Sequence, residues 1–374
     1  MVKVRVLVVD DSVLIRRLLV SALNKDPELE VVATANNGRF ALAKIPHYNP
    51  DVVTMDIEMP EMNGMEALAL LQKSHPNLPV IMLSGQTEKA AAKTFDCLEL
   101  GASDYISKED MGKGEAAFGY LRETLIPRIK YFAQKAREKT KKGAPPHVID
   151  SKKETAQDYA RPGGKNGGRV DAVLIGASTG GPNVLLDMLP KIPENFPVPI
   201  LIVQHMPPVF TAQFSRNVSA KSLIPFHEAS SGELVQPGTG WVAPGDYHMI
   251  VSREGAEVRV RTNQEPPENS CRPAVDVLFR SAAKVYGENV LAVILTGMGQ
   301  DGLRGCEEVV AAGGQVIVQD EATSVVWGMP GYVAQAGLAE QVLPVDKILK
   351  EIIRRVSDRQ GTSSVFPGNI SLTA

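Results

Sequence analysis

Cysteine is scarce in this chain of 374 residues. Cys97, Cys271 and Cys306 are scattered and odd in number. That excludes a disulfide framework and the paired spacing of a zinc ribbon. The thiols read as inert core or surface residues of a reducing compartment. An excess of charge is missing as well: 40 Lys and Arg against 43 Asp and Glu leave a formal net charge of −3. No global electrostatic case for nucleic acid or an anionic membrane follows. No uninterrupted apolar run is long enough to span a bilayer. The opening run Val4–Val9 is too short for the core of a signal peptide plus its cleavage site. A cytoplasmic protein without membrane insertion is expected. There is no repeat of short period. The hydrophobic fraction of 44% is ordinary for globular chains, and the length suggests two or three domains.

Residues 3 to about 130 alternate short apolar runs with helical periodicity. Strands are predicted at Val4–Val9, Glu30–Ala35, Val52–Asp56, Pro79–Leu83 and Asp104–Ile106, with helices such as Val13–Leu23 and Met65–Gln72 between them. A last amphipathic helix is predicted over Glu115–Arg128. Such alternation predicts an α/β fold with a parallel sheet covered on both faces. From 131 to 169 apolar residues are few, and Lys, Pro and Gly accumulate, which predicts a flexible, solvated linker. Strand–helix alternation resumes over 170–357. It is interrupted at Ile224–Gln264 by extended segments with turn signals, which predict an inserted β-hairpin. A polar tail, 358–374, is expected to be disordered.

The segment Asp171-Ala-Val-Leu-Ile-Gly-Ala-Ser-Thr-Gly-Gly-Pro-Asn183 ends a buried strand in Gly-x-Ser-x-Gly before a helix. Glycines on both sides let the backbone turn sharply and present a hydroxyl at the strand's carboxyl end. The same residues, Gly176–Gly181, suit a phosphate at a helix N-terminus. Two further strands end in His205 and in the loop carrying Asp301. Reacting groups in open parallel sheets collect beyond strand carboxyl ends. Ser178, His205 and Asp301 supply a hydroxyl, an imidazole to accept its proton, and a carboxylate to orient the imidazole. The order Ser…His…Asp differs from that of the α/β-hydrolases, so that fold is not assigned. Backbone N–H groups of Thr179 and Met298 are the candidate oxyanion donors. His248 is an alternative base, and Asp276 and Arg272 are candidate markers of a substrate groove.

In the first half, Asp10 and Asp11 close the first predicted strand and Asp56 the third. If those strands are neighbours, three carboxylates converge and call for a hard cation, most plausibly Mg²⁺. Ser84 and Lys108 follow the fourth and fifth strands at the same edge. A carboxylate facing a divalent cation, a hydroxyl and an ammonium is arranged to take up a phosphoryl group.

Val9-Asp10-Asp11-Ser12, Met55-Asp56 through Asn63-Gly64-Met65-Glu66, Leu83-Ser84 and Asp104-Tyr105-Ile106-Ser107-Lys108 resemble the receiver domain of two-component response regulators. That resemblance implies a doubly wound, five-stranded parallel (flavodoxin-like) fold. It makes Asp56 the phosphoacceptor, Asp10 and Asp11 the other metal carboxylates, Ser84 and Tyr105 the switch residues, and Lys108 the phosphate lysine. Receivers usually carry Pro after the lysine, whereas Glu109 stands here. The second half resembles the catalytic domain of the chemotaxis protein-glutamate methylesterases. The matching segments are Ile175 to Pro182, Gln204-His205 to Thr211, Val242 to Met249, Arg272 to Phe279, Leu295 to Gly302 and Trp327 to Pro330. The resemblance implies hydrolysis of γ-glutamyl methyl esters on membrane chemoreceptors, deamidation of receptor glutamines, and a chemotaxis histidine kinase as phosphoryl donor. It also implies an α/β parallel-sheet esterase domain without a cofactor. The competing readings are a receiver-controlled nucleotide- or phosphate-binding module and a DNA-binding regulator. A phosphate-binding loop of the Gly-x4-Gly-Lys-Ser/Thr type is absent, and the second half is neither basic nor a short helix-turn-helix.

Overall fold

Val6, Leu7, Val8 and Val9 are all fully buried, because the strand they form is covered on both faces. In the computed structural model, which describes residues 2–108, 114–141 and 168–357, this strand is β1 (Val4–Val9). It is followed by β2 (Leu29–Ala35), β3 (Val52–Asp56), β4 (Val80–Ser84) and β5 (Asp104–Ser107). The sheet is parallel, in the order β2-β1-β3-β4-β5. β1 therefore lies beside β3, and their carboxyl ends meet where the strand order reverses. Helices Val13–Leu23, Gly38–Tyr48, Gly64–Ser74 and Glu88–Glu99 each start at a side-chain cap, Ser12, Asn37, Asn63 and Thr87. Such caps contribute about 1 kcal/mol each.

The helix predicted to end at Arg128 continues. After Glu115–Tyr120 and a π-helical turn at Leu121–Leu125, helix Ile126–Lys141 runs into the expected linker. Burial of Ile129, Phe132 and Ala133 holds it on the sheet. Arg137 adds a two-pronged pair with Asp51, at 3.1 and 2.7 Å. The rest of the expected linker up to 167, the expected tail and Glu109 lie outside the described residues.

The second half contains β6 (Ala172–Ala177), β7 (Ile200–Gln204), β8 (Phe226–Glu228), β9 (Gly240–Val242), β10 (His248–Glu254), β11 (Glu257–Asn263), β12 (Val290–Ile294), β13 (Gln315–Gln319) and β14 (Gln341–Leu343). Seven of them form a parallel sheet in the order β14-β13-β12-β6-β7-β9-β8. The interruption at Ile224–Gln264 is only partly a hairpin. β10 and β11 pair antiparallel, whereas β8 and β9 extend the parallel sheet. Phe226 and Trp241 are almost wholly buried, so these two short strands complete a core. Turn residues between them mark a crossover, not a reversal.

One apolar cluster crosses from the first half to the second. Tyr105 at the end of the first sheet stacks on Phe210 of helix Pro208–Lys221, with ring centroids 4.7 Å apart and planes 15° apart. Phe95 sits 6.3 Å from Phe210 and 6.0 Å from Phe214. Asn183 Nδ2 donates to Ala102 O at 3.2 Å, and Tyr131 Oη to Ser324 O at 2.5 Å.

Candidate active site

β12, β6 and β7 are consecutive neighbours in the second sheet. Their carboxyl ends deliver Asp301, Ser178 and His205 to one place. Ser178 follows β6 in a turn that Gly180 completes with φ +76°. A Cβ on Gly180 would also lie 2.4 Å from Val325 Cβ, so only glycine fits. Gly297 is bound just as closely, since a Cβ there would meet Ser178 Cβ at 2.9 Å. The serine carbonyl is held by Gly181 N–H at 2.8 Å and Gln204 Nε2 at 3.0 Å. Gly181 N–H thus turns back onto the serine and is not offered to an anion, which counts against the phosphate-cradle reading.

His205 Nε2 lies 2.8 Å from Asp301 Oδ2. Its other nitrogen, Nδ1, lies 3.5 Å from Cys271 Sγ. Ser178, His205 and Cys271 all line the same cleft of about 620 Å³. Nδ1, not Nε2, is therefore the nitrogen turned away from the carboxylate, the reverse of the chymotrypsin arrangement.

Asp301 is 2% exposed and fully supplied with donors. Oδ2 accepts Val275 N–H at 2.6 Å as well as His205. Oδ1 accepts Asp276 N–H, Gly302 N–H and Asn269 Nδ2, at 3.1, 3.1 and 3.0 Å. Burial alone would raise its pKa, but His205 and these N–H groups outweigh it and hold the carboxyl below its ordinary value. For His205, burial pushes the imidazole down, while Cys271 and Asp301 push it up and prevail, to about 10. The same partners therefore favour the imidazolium once the ring has accepted a proton.

Several sequence expectations change at this site. His248 is 1% exposed, and both ring nitrogens are engaged: Nε2 with Pro266 O at 3.1 Å, and Nδ1 accepting Ala274 N–H at 3.2 Å. It is a structural histidine. Asp276 is buried and does not face the groove. It accepts Gly302 N–H at 2.9 Å and Gly305 N–H at 2.6 Å, and so fixes the loop that carries Asp301. Burial and the neighbouring Asp301 charge raise its pKa to about 6. Arg272 does line the cleft, paired with Asp246 at 2.6 Å. Cys97 and Cys306 are inert core residues, but Cys271 is not: it stands in the cleft. Among the described residues, no protein acceptor takes the backbone N–H of Thr179 or Met298.

The far wall of the cleft belongs to the first half. Asp104, Tyr105, Tyr120 and Arg128 line it opposite Ser178 and His205. Arg128 Nε reaches Asp104 Oδ2 at 3.2 Å and Thr179 Oγ1 at 3.4 Å. Nothing in the periodicity of its helix distinguishes Arg128 from a solvated arginine, so sequence reasoning missed it.

The second cluster lies at the β1 and β3 ends. Asp10, Asp11 and Asp56 offer carboxylate oxygens within 4.8 Å of one another. Lys108 Nζ bridges Asp10 and Asp56 at 2.8 Å each. Burial raises the Asp56 pKa to about 6, only partly offset by Lys108. For Lys108, burial lowers the pKa, but Asp56 and Asp10 outweigh it and leave the ammonium above its usual value. Ser84 is buried. Its Oγ donates to Gly85 O at 3.0 Å and accepts from Thr94 Oγ1 at 2.6 Å.

Comparison with known proteins identifies the family of both halves. The family model "CheB methylesterase" matches residues 173–352, and "Response regulator receiver domain" matches 6–116. A Trichodesmium erythraeum protein named protein-glutamate methylesterase/protein-glutamine glutaminase is 50% identical over 95% of this chain and 100% of its own length. A Nocardioides protein of the same name is 47% identical over 98% of this chain and 99% of its own. The crystal structure of the Thermotoga maritima CheB methylesterase catalytic domain is 42% identical, covers 50% of this chain and 99% of its own, and superposes with a TM-score of 0.49. With both halves matched in order and near-complete coverage of full-length relatives, the chain belongs to the protein-glutamate methylesterase/protein-glutamine glutaminase family, in which a response-regulator receiver precedes a methylesterase domain.

Proposed function

We propose that this protein is a phosphorylation-controlled serine hydrolase. It removes methyl groups from γ-glutamyl methyl esters of chemotaxis receptors and deamidates receptor glutamines. The observation that carries the reading is the His205–Asp301 pair at 2.8 Å in the cleft that Ser178 lines. Ser178 Oγ attacks the ester carbonyl as His205 Nδ1 takes its proton. The imidazolium keeps Nε2–H on Asp301 and passes its Nδ1 proton to the departing methoxy oxygen, releasing methanol, or to the departing glutamine amide nitrogen, releasing ammonia. Water, deprotonated by the same nitrogen, releases the acyl group from Ser178. Thr179 and Met298 N–H groups supply the oxyanion hole, each worth about 3–4 kcal/mol in such sites. The anion-cradle reading would leave the His205–Asp301 pair without a purpose.

Asp56 is the proposed phosphoacceptor, with a chemotaxis histidine kinase as donor. Three hard carboxylate donors fit Mg²⁺, held by Asp10, Asp11 and Asp56. The ion, when bound, offsets negative charge on the transferring phosphoryl group. Lys108 is placed to pair with the phosphoryl oxygens after transfer. Ser84 would exchange its bond to Gly85 for one to the phosphoryl group, and Tyr105 would follow. Because Tyr105 stacks on Phe210 and lines the cleft, this movement loosens the docked receiver and opens the site. Release of methanol from methylated receptor, measured with and without a small-molecule phosphodonor, tests the proposal. Activity that survives Ser178→Ala, or stays indifferent to phosphodonor in the native chain, would contradict it.

A further inference from the structure

Cys271 closes the 268–271 turn by its bridge to Glu268 and lines the cleft, far in sequence from His205. The two nevertheless meet at 3.5 Å, sulfur to Nδ1. That separation has a definite meaning for one class of ligand. With Zn–S near 2.3 Å, Zn–N near 2.0–2.1 Å and a tetrahedral angle, the sulfur–nitrogen edge of a zinc site is about 3.5 Å. The sulfur and the nitrogen are thus separated by the length of such an edge.

The remaining partners fit the same pattern. His205 gives its other nitrogen, Nε2, to Asp301 at 2.8 Å. A metal-bound histidine ordinarily has such a carboxylate behind it, which fixes the ring and raises its basicity. Asp301 cannot itself be a ligand without loss. Its oxygens already accept Val275, Asp276 and Gly302 N–H groups and Asn269 Nδ2. It is an orienting group behind the ring. The open cleft leaves the remaining positions to water or to Ser178 Oγ. Sulfur and imidazole select borderline and soft ions, whereas Mg²⁺ demands oxygen.

We propose that Cys271 Sγ and His205 Nδ1 form an inhibitory site for zinc and similar thiophilic divalent ions. Binding displaces the thiol proton of Cys271 to solvent and occupies the lone pair that would take the Ser178 proton. The esterase stops without any movement of the receiver. Inhibition of turnover rests on the hydrolase reading above; metal binding does not.

The test uses the full chain in excess Mg²⁺. Zinc should inhibit ester hydrolysis reversibly, with restoration on chelation and re-addition of Mg²⁺. Cys271→Ser, each variant referred to its own metal-free rate, should raise the zinc concentration for half-inhibition by about ten- to a hundredfold. Cadmium should give sulfur-to-metal charge-transfer absorption in the native chain that Cys271→Ser abolishes. On the unaltered chain, zinc should slow alkylation of Cys271 by iodoacetamide, mapped by mass spectrometry; Cys97 and Cys306 are buried and do not compete. Alkylation unaffected by zinc, or cadmium absorption that persists without Cys271, overturns the site. These two readouts need no esterase activity and no folded variant together. A chain that binds cadmium at Cys271 yet hydrolyses no ester would sink the hydrolase reading alone.

Discussion

Replacing Tyr105 by alanine should switch the unphosphorylated protein partly on. Tyr105 is 8% exposed and Phe210 fully buried, their rings stacked 4.7 Å apart across the junction of the two halves. A stacked pair contributes about 0.5–1.5 kcal/mol beyond the area it covers. Part of the ring burial is also lost, so a docking loss of about 1–2 kcal/mol is reasonable, a roughly 5- to 30-fold change in the docking equilibrium. If the docked receiver limits access to Ser178, methanol release by unphosphorylated Tyr105→Ala should rise by up to that factor. The ceiling is the rate of the 170–357 fragment, and phosphodonor stimulation should shrink in proportion. Tyr105→Phe keeps the stacked ring and should raise basal activity less than Tyr105→Ala. Circular dichroism and a thermal melt would establish that the variant is folded. A folded Tyr105→Ala protein with unchanged or lower basal activity would refute the argument that this face holds the cleft closed. An isolated 170–357 fragment slower than the resting parent would do the same.

Ser178→Ala, His205→Ala and Asp301→Ala should each lower turnover by about 10⁴–10⁶-fold without additivity, while circular dichroism stays native; His248→Ala should lower stability, measured by melting, more than turnover. Asp56 has its carboxyl pKa raised to about 6, so its charged form is lost as pH falls through that value. Mg²⁺ affinity, measured by calorimetry, should weaken about tenfold from pH 7 to pH 5 and release protons on binding. Asp56→Asn should prevent labelling by phosphodonor, and EDTA should block it in the native chain. Cys271→Ser removes a group that holds the His205 pKa up, so the acidic limb of kcat/KM against pH should move to lower pH; a limb that stays put would separate Cys271 from the ring's titration.

The first sheet and the three central strands of the second, β6, β7 and β12, were legible because buried parallel strands write themselves as apolar runs of four to six residues, as in Leu291–Ile294 and Val6–Val9. The proposed site residues Ser178, His205, Asp10, Asp56 and Lys108 each stand at or just after a strand end, and Asp301 on the loop after β12, as their sequence positions suggested. What failed depended on partners remote in sequence. Helix Ile126–Lys141 outlasted its prediction because its Arg137 found Asp51. β8 and β9 looked like hairpin arms because their turns are real, and only Phe226 and Trp241 reveal that both strands complete the sheet. Cys271 had no local signal at all: its neighbour is 66 positions away. The orientation of the His205 ring, with Nδ1 turned from Asp301, is likewise a matter of packing that no motif encodes.

The apolar cluster that crosses from one half to the other has a thermodynamic consequence. Phe95, Phe210 and Phe214 belong to both cores at once. Neither half can then melt without exposing surface of the other, so the resting protein should unfold in a single calorimetric transition, with van't Hoff and calorimetric enthalpies equal. Phosphorylation that parts the two faces would divide that transition in two. The heat-capacity trace of the protein, with no substrate present, would thus report whether the cleft is shut.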